Sequence, residues 1–198
     1  MKKENALKDS TVFLAWGSLI REPHEEFNSH HEEWVHDGPV LPLEFSRISS
    51  KRDNALTIVI DIDLGVPIKT WYAISKRRDP RDAACDLRAR EGTVTRHIGV
   101  IDLQVNVIRS HWSAITDRIA LWAQDRGVRA VVWTDLPSNY TRKTGNLFCA
   151  ACGVDYIKTK LGGKGQQKAR EYLAVVPAEV VTPFRSALEA NLWFGEGN

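Results

Sequence analysis

An α+β domain is the fold this sequence predicts, and three observations predict it. Six apolar, β-branched or aromatic runs read as strands: Val12 to Trp16, Leu41 to Ile48, Ala55 to Ile60, Ile68 to Ser75, Ile98 to Val107 and Val128 to Trp133. Helical stretches with legible ends follow the fourth and fifth of them, over Asp79–Thr93 and Ser110–Arg126. The last third, from Lys143 onward, reads as mostly helical, with a final helix over Glu179–Leu192. At 198 residues, with 43% hydrophobic and 26% charged residues, the chain is long enough for one domain with an extension.

The first strand ends abruptly in Gly17-Ser18. No polar residue interrupts Val12–Trp16, as expected of a strand buried on both faces. Gly17 permits a sharp turn and a close approach by another group. Successive N–H groups after such a turn can hold a carboxylate or an oxyanion. The plainer reading is a buried strand and a tight turn.

His24, His30, His31, Glu32, Glu33 and His36 follow in a polar stretch. The zinc-protease helix needs His-Glu-x-x-His, but Val35 stands where the second His belongs and His36 is one residue late. A solvated helix or loop, with no metal, is the expectation. Ser49–Asn54 is a polar turn between two strands, which predicts a β-hairpin. Asp61 and Asp63 lack the later ligands of a calcium loop and read as strand-end polarity.

The helix over 79–93 has the clearest ends in the chain. Asp79 suits the N-cap, Pro80 the first position and Asp82 the first turn, and Gly92 suits a left-handed C-terminal residue. Glu91 then stands last in the helix, where the helix dipole disfavours negative charge. Burial there would raise the carboxyl's proton affinity toward that of a general acid/base at neutral pH. An exposed helix-end glutamate is the plainer alternative.

In the second half, Ser110 is expected to cap a helix whose apolar face carries Trp112, Ile115, Ile119, Leu121 and Trp122. Thr134–Asn139 reads as a polar loop. Val180, Val181, Phe184, Leu188 and Leu192 are expected on one face of the last helix, and Gly195–Asn198 as a frayed tail. Cys149-Ala150-Ala151-Cys152 has the CxxC spacing but neither a visible βαβ context nor two further zinc ligands, so small buried cysteines in a helix are expected. Lys158, Lys160, Lys164, Lys168 and Arg170 lack a phosphate-loop pattern and read as a solvated face, so no nucleic-acid partner is expected. The net charge of +2 does not itself argue for nucleic acid or membrane. No apolar h-region follows Met1–Asn5 and no run approaches membrane-spanning length. With three cysteines and no framework spacing, a reducing, cytoplasmic location is expected.

Trp16-Gly17-Ser18-Leu19, the middle strands, Trp71-Tyr72-Ala73-Ile74 and Arg90-Glu91-Gly92 occur in an order that resembles the gamma-glutamylcyclotransferase-like family. Its members carry Tyr-Gly-Ser/Thr after the first strand and a later helix ending in Glu-Gly. The resemblance spans roughly residues 11 to 105 and implies a small mixed β-barrel with flanking helices and one cavity. On that basis residues 1–108 form the core and residues 109–198 add helices and a strand packed on the same domain. The implied reaction is intramolecular: the α-amine of a γ-glutamyl group attacks its own γ-carbonyl, giving 5-oxoproline and a free amine. The resemblance assigns Glu91 as general acid/base and Trp16, Gly17, Ser18 and Leu19 to the substrate, the last three through backbone N–H groups. It implies no metal and no cofactor, and a small anionic γ-glutamyl substrate. Trp16 departs from the family's Tyr, and the second half matches no part of the pattern. The alternative is a non-catalytic module that binds a small anion or a protein with the same cavity.

Overall fold

The computed structural model describes residues 7–191, and they form an α+β protein. Its strands are β1 (Thr11–Ala15), β2 (Val40–Ser49), β3 (Ala55–Ile60), β4 (Val66–Lys69), β5 (Trp71–Ile74), β6 (Ile98–Asp102), β7 (Val107–Arg109) and β8 (Ala130–Thr134). Its α-helices are α1 (Glu25–Ser29), α2 (Pro80–Glu91), α3 (Ser113–Asp125), α4 (Tyr140–Thr144), α5 (Ala150–Asp155), α6 (Gly163–Val175) and α7 (Pro183–Ala190). No described helix is long and apolar enough to cross a membrane. The Gly195–Asn198 tail and Leu192 lie outside the described residues.

The described chain divides into two compact units. The first comprises residues 7–15, 22–41 and 69–136; the second comprises residues 16–21, 42–68 and 137–191.

In the first unit a five-stranded sheet runs in the order β5-β1-β8-β6-β7. β1 lies parallel to β8 (Thr11 opposite Ala130, Leu14 opposite Trp133), and β6 lies antiparallel to β8 (Ile98 opposite Thr134). Thus β8, from the second half of the sequence, is the central strand of the sheet that β1 begins. Val12, Phe13, Val131, Val132 and Trp133 are fully buried, which accounts for the uninterrupted apolar runs. α2 packs across β8 and β6. α3 buries Ile115, Ile119, Trp122 and Ala123. Leu121, expected on that face, is 62% exposed, because it falls on the opposite side of the turn from Ile119 and Ala123. α3 begins at Ser113, and Ser110 is not its cap: the Ser110 hydroxyl accepts the N–H of Trp112 in the preceding turn.

In the second unit a three-stranded sheet runs β3-β2-β4. The expected hairpin is present, with Ser49 opposite Ala55 and a turn that places Asp53 and Asn54 at φ 49° and 65°. Asp61 is buried and organises the next turn: it accepts the Ser46 hydroxyl at 2.6 Å and the N–H groups of Asp63 and Leu64. α7 starts at Pro183 with Thr182 as N-cap, so Val181 is exposed rather than on the helix face with Phe184 and Leu188.

Two strands were expected where four stand. Ile68–Ser75 is split at Thr70, with β4 in the three-stranded sheet and β5 in the five-stranded one. Ile98–Val107 is a hairpin of β6 and β7, turned by the Asp102 carboxylate on Gln104 N–H and by Asn106 at φ 51°. The barrel expected from the resemblance does not close among the described residues: β5 and β7 end one open sheet, and β3 and β4 end the other.

Candidate functional site

Strand direction gathers the chemistry of the first unit at one end of its sheet. β1 and β8 run in parallel, so both finish at the end where the antiparallel β6 begins. β7 returns toward that same end, where Arg109 Nε donates to Ile98 O at 3.1 Å. α2 ends at Glu91, with six residues between it and the start of β6 at Ile98. The Thr93 hydroxyl and His97 Nδ1 are 2.9 Å apart, which ties the end of α2 to the start of β6.

α2 forms as its sequence dictates. The Asp79 carboxylate accepts the N–H of Arg81 and also holds the Arg81 guanidinium, which brings the Asp79 carboxyl down to about 2. Gly92 takes the left-handed conformation (φ 53°) and returns its N–H to Ala89 and Arg88 carbonyls. This fixes Glu91 as the last helical residue. Its side chain is 25% exposed, so it is neither buried outright nor free in solvent. Arg90 Nη1 lies 3.9 Å from the Glu91 carboxylate, and Arg90 Nη2 lies 3.1 Å from Glu22.

Beside this helix end lies a constellation the sequence does not reveal. Asp135, just past β8, is 1% exposed. One of its carboxylate oxygens accepts the His111 backbone N–H at 2.6 Å and faces His111 Nδ1 at 3.0 Å; the other accepts Trp133 Nε1–H at 3.2 Å. A carboxylate at Nδ1 favours the tautomer with the ring proton on that nitrogen. The His97 and His111 rings stand 6.2 Å apart, centroid to centroid. Asp135 had read as one residue of a polar loop. Its role follows from strand order, which sets residues 97, 111 and 135 side by side.

Trp16, Gly17, Ser18 and Leu19 belong to the second unit, and Glu91 to the first. Trp16 and Leu19 are buried. Gly17 starts a single 3₁₀ turn over Ser18–Ile20, whose first bonds run from Ile20 N–H to Gly17 O and Arg21 N–H to Ser18 O. The Ser18 and Leu19 amides therefore precede the first donor used within the turn. A Cβ at Gly17 would lie 3.0 Å from the Tyr172 hydroxyl and 3.1 Å from Ile58, so a side chain there would press on both neighbours. Arg52 donates to the Ser18 hydroxyl at 3.2 Å.

The histidines of the 24–36 stretch each have a partner, in a segment that is otherwise largely exposed. His24 caps α1, His30 pairs with Asp86 at 3.2 Å, and His36 stacks on Trp71 at 3.8 Å. His31 is buried against Phe27 and Trp34, and that burial lowers its proton affinity. No group of three or more His, Cys, Asp or Glu among the described residues is gathered to hold a metal ion. Cys149 and Cys152, expected as small buried residues, are joined in a disulfide, and Cys149 is exposed. Phe148 takes the buried position at this corner, which turns its neighbour outward. No family model, no curated protein and no solved structure matches this chain.

Proposed function

We propose that this protein is a gamma-glutamylcyclotransferase-like enzyme with Glu91 as general acid/base. The observation that carries the reading is the position of Glu91. It is last in α2, held there by the Gly92 cap, mostly shielded from water yet with a quarter of its side chain accessible. In this reading Glu91 takes a proton from the substrate's α-ammonium. The freed amine attacks its own γ-carbonyl and closes the five-membered ring. The same carboxyl returns the proton to the leaving amine as the C–N bond breaks, releasing 5-oxoproline. The resemblance gives the developing oxyanion to the amides of Gly17, Ser18 and Leu19. Confining the proton to a single carboxyl needs no metal and no cofactor. The partner is then a small anionic γ-glutamyl compound.

The ion pair of Glu91 with Arg90 favours a second reading, in which the carboxylate is a structural counter-ion and the protein binds a small anion without turnover. One experiment separates the two. Wild type and Glu91→Gln are incubated with γ-glutamyl dipeptides, glutathione and γ-glutamyl amines, and 5-oxoproline is measured. The enzyme reading expects product from wild type and a fall of about 10²–10⁴-fold in the variant. No product from any substrate, with the protein folded, overturns the enzyme reading.

A further inference from the structure

The bridge between Cys149 and Cys152 joins residues only three apart. A disulfide stabilises a fold chiefly by closing a long loop in the unfolded chain, and so short a loop gains little. The bridge is therefore poorly suited to be a staple, and its surroundings fit another use. Cys149 is exposed and extended at the head of α5, while Cys152 is half-buried within its first turn. The backbone N–H of Cys152 donates to Cys149 Sγ at 3.0 Å, a contact that would favour a thiolate at that sulfur.

The pair sits in a frame of aromatic and backbone contacts. Phe148, immediately before it, is buried against Tyr140 and Phe184, with ring centroids 5.1 and 6.4 Å away. The Tyr140 hydroxyl donates to the Cys152 carbonyl at 3.2 Å, and α5 packs on α7. None of these contacts runs through either sulfur atom.

We propose that Cys149 and Cys152 form a surface dithiol–disulfide exchange site whose partner is a small-molecule monothiol, with Cys149 the sulfur that is attacked and that attacks. A thiolate of the partner attacks Cys149 Sγ. A mixed disulfide forms, the Cys149–Cys152 bond breaks, and Cys152 leaves as a thiolate that takes up a proton. A second partner thiolate attacks the partner's sulfur in the mixed disulfide and releases Cys149. The protein gains two electrons and two protons, and two monothiols become one disulfide. The reverse sequence begins with the Cys149 thiolate and restores the bridge.

The test uses the full chain carrying Cys85→Ser, which removes the exposed free cysteine and leaves the pair as the only thiols. The folded protein is equilibrated in reduced and oxidised glutathione, quenched with an alkylating agent and weighed by mass spectrometry. The expected result is a reversible passage from no alkylated cysteine to two as the reduced fraction rises, with the circular dichroism spectrum unchanged. Adding Cys152→Ser should trap glutathione on Cys149, and adding Cys149→Ser should trap far less on Cys152. A bridge that persists in reduced glutathione until urea is added would overturn the proposal, as would thiols that never pair under oxidised glutathione. Equal trapping on both sulfurs would overturn the assignment of Cys149. The thiol count is independent of 5-oxoproline formation, so the site stands or falls apart from the proposed enzyme activity.

Discussion

Gly99 shows how much one atom decides in the first unit. It lies in β6 directly opposite Trp133 of β8, and a Cβ there would overlap the Trp133 indole. Trp133 is fully buried and cannot retreat without losing its Nε1 bond to Asp135. Overpacking of this kind costs about 1–3 kcal/mol, so Gly99→Ala should lower the unfolding free energy by that amount, read as a lower urea midpoint with the m-value unchanged. It should also loosen His111, which Asp135 orients. None of this was legible in the sequence. Gly99 sits among apolar residues with nothing to mark it, and Asp135 and His111 are 24 residues apart. Their meeting depends on strand order, which no local pattern encodes. Glu91 and Gly17 were legible, because one stands at a capped helix end and the other at the abrupt end of an apolar strand.

At the level of elements, those with chemical punctuation were read closely. α2 begins and ends where Asp79, Pro80 and Gly92 put it, and the β2–β3 hairpin turns where Ser49–Asn54 is polar. Elements without punctuation were merged or displaced. No turn residue separates β4 from β5, and only Thr70, itself buried and donating its hydroxyl to Pro39 O, marks the break. The start of α7 was placed too early because Val180 and Val181 extend its apolar pattern, whereas Thr182 and Pro183 fix the first turn. The residue that caps the C-terminal end of α2 carries a prediction of its own. Gly92 adopts φ 53°, where a residue with a Cβ pays about 1 kcal/mol. Gly92→Ala should therefore lower stability by roughly that amount in urea titration, and Gly92→Asn by less, since Asn tolerates this conformation better.

On the scale of the whole molecule, the α+β class followed from the order of strands and helices, whereas the sheet pairings did not. β8 enters the first sheet between β1 and β6 from more than a hundred residues away, and closure of a barrel depends on such edge pairings. Among the buried ionisable groups, two, one in each unit, have opposite consequences for pH: His31 and Glu44. His31 in the first unit is held below its ordinary value of 6.5, first by burial and also by the nearby Lys76 and His30, against Glu32 acting upward. The unfolded chain therefore binds a proton at this site that the folded chain refuses. Stability from His31 is complete above 6.5 and is lost as pH falls toward the lower folded value. Glu44 in the second unit is held above its ordinary 4.5, first by burial and also by Asp61, while Thr182 and the N–H groups of Phe45 and Phe184 act downward. Here the folded chain keeps a proton that the unfolded chain gives up. That contribution is complete below 4.5 and is lost as pH rises through the folded value. Urea midpoints measured from about pH 4 to 8 should therefore contain two opposed steps. His31→Phe, which keeps a ring among Phe13, Phe27 and Trp34, should remove the step on the acid side of 6.5 and leave the other. Glu44→Gln should be less stable overall, since its amide nitrogen cannot accept from the donors that surround the carboxyl, but its midpoint should no longer fall as pH rises above 4.5. An unchanged pH profile in either variant would remove that residue as the source of its step.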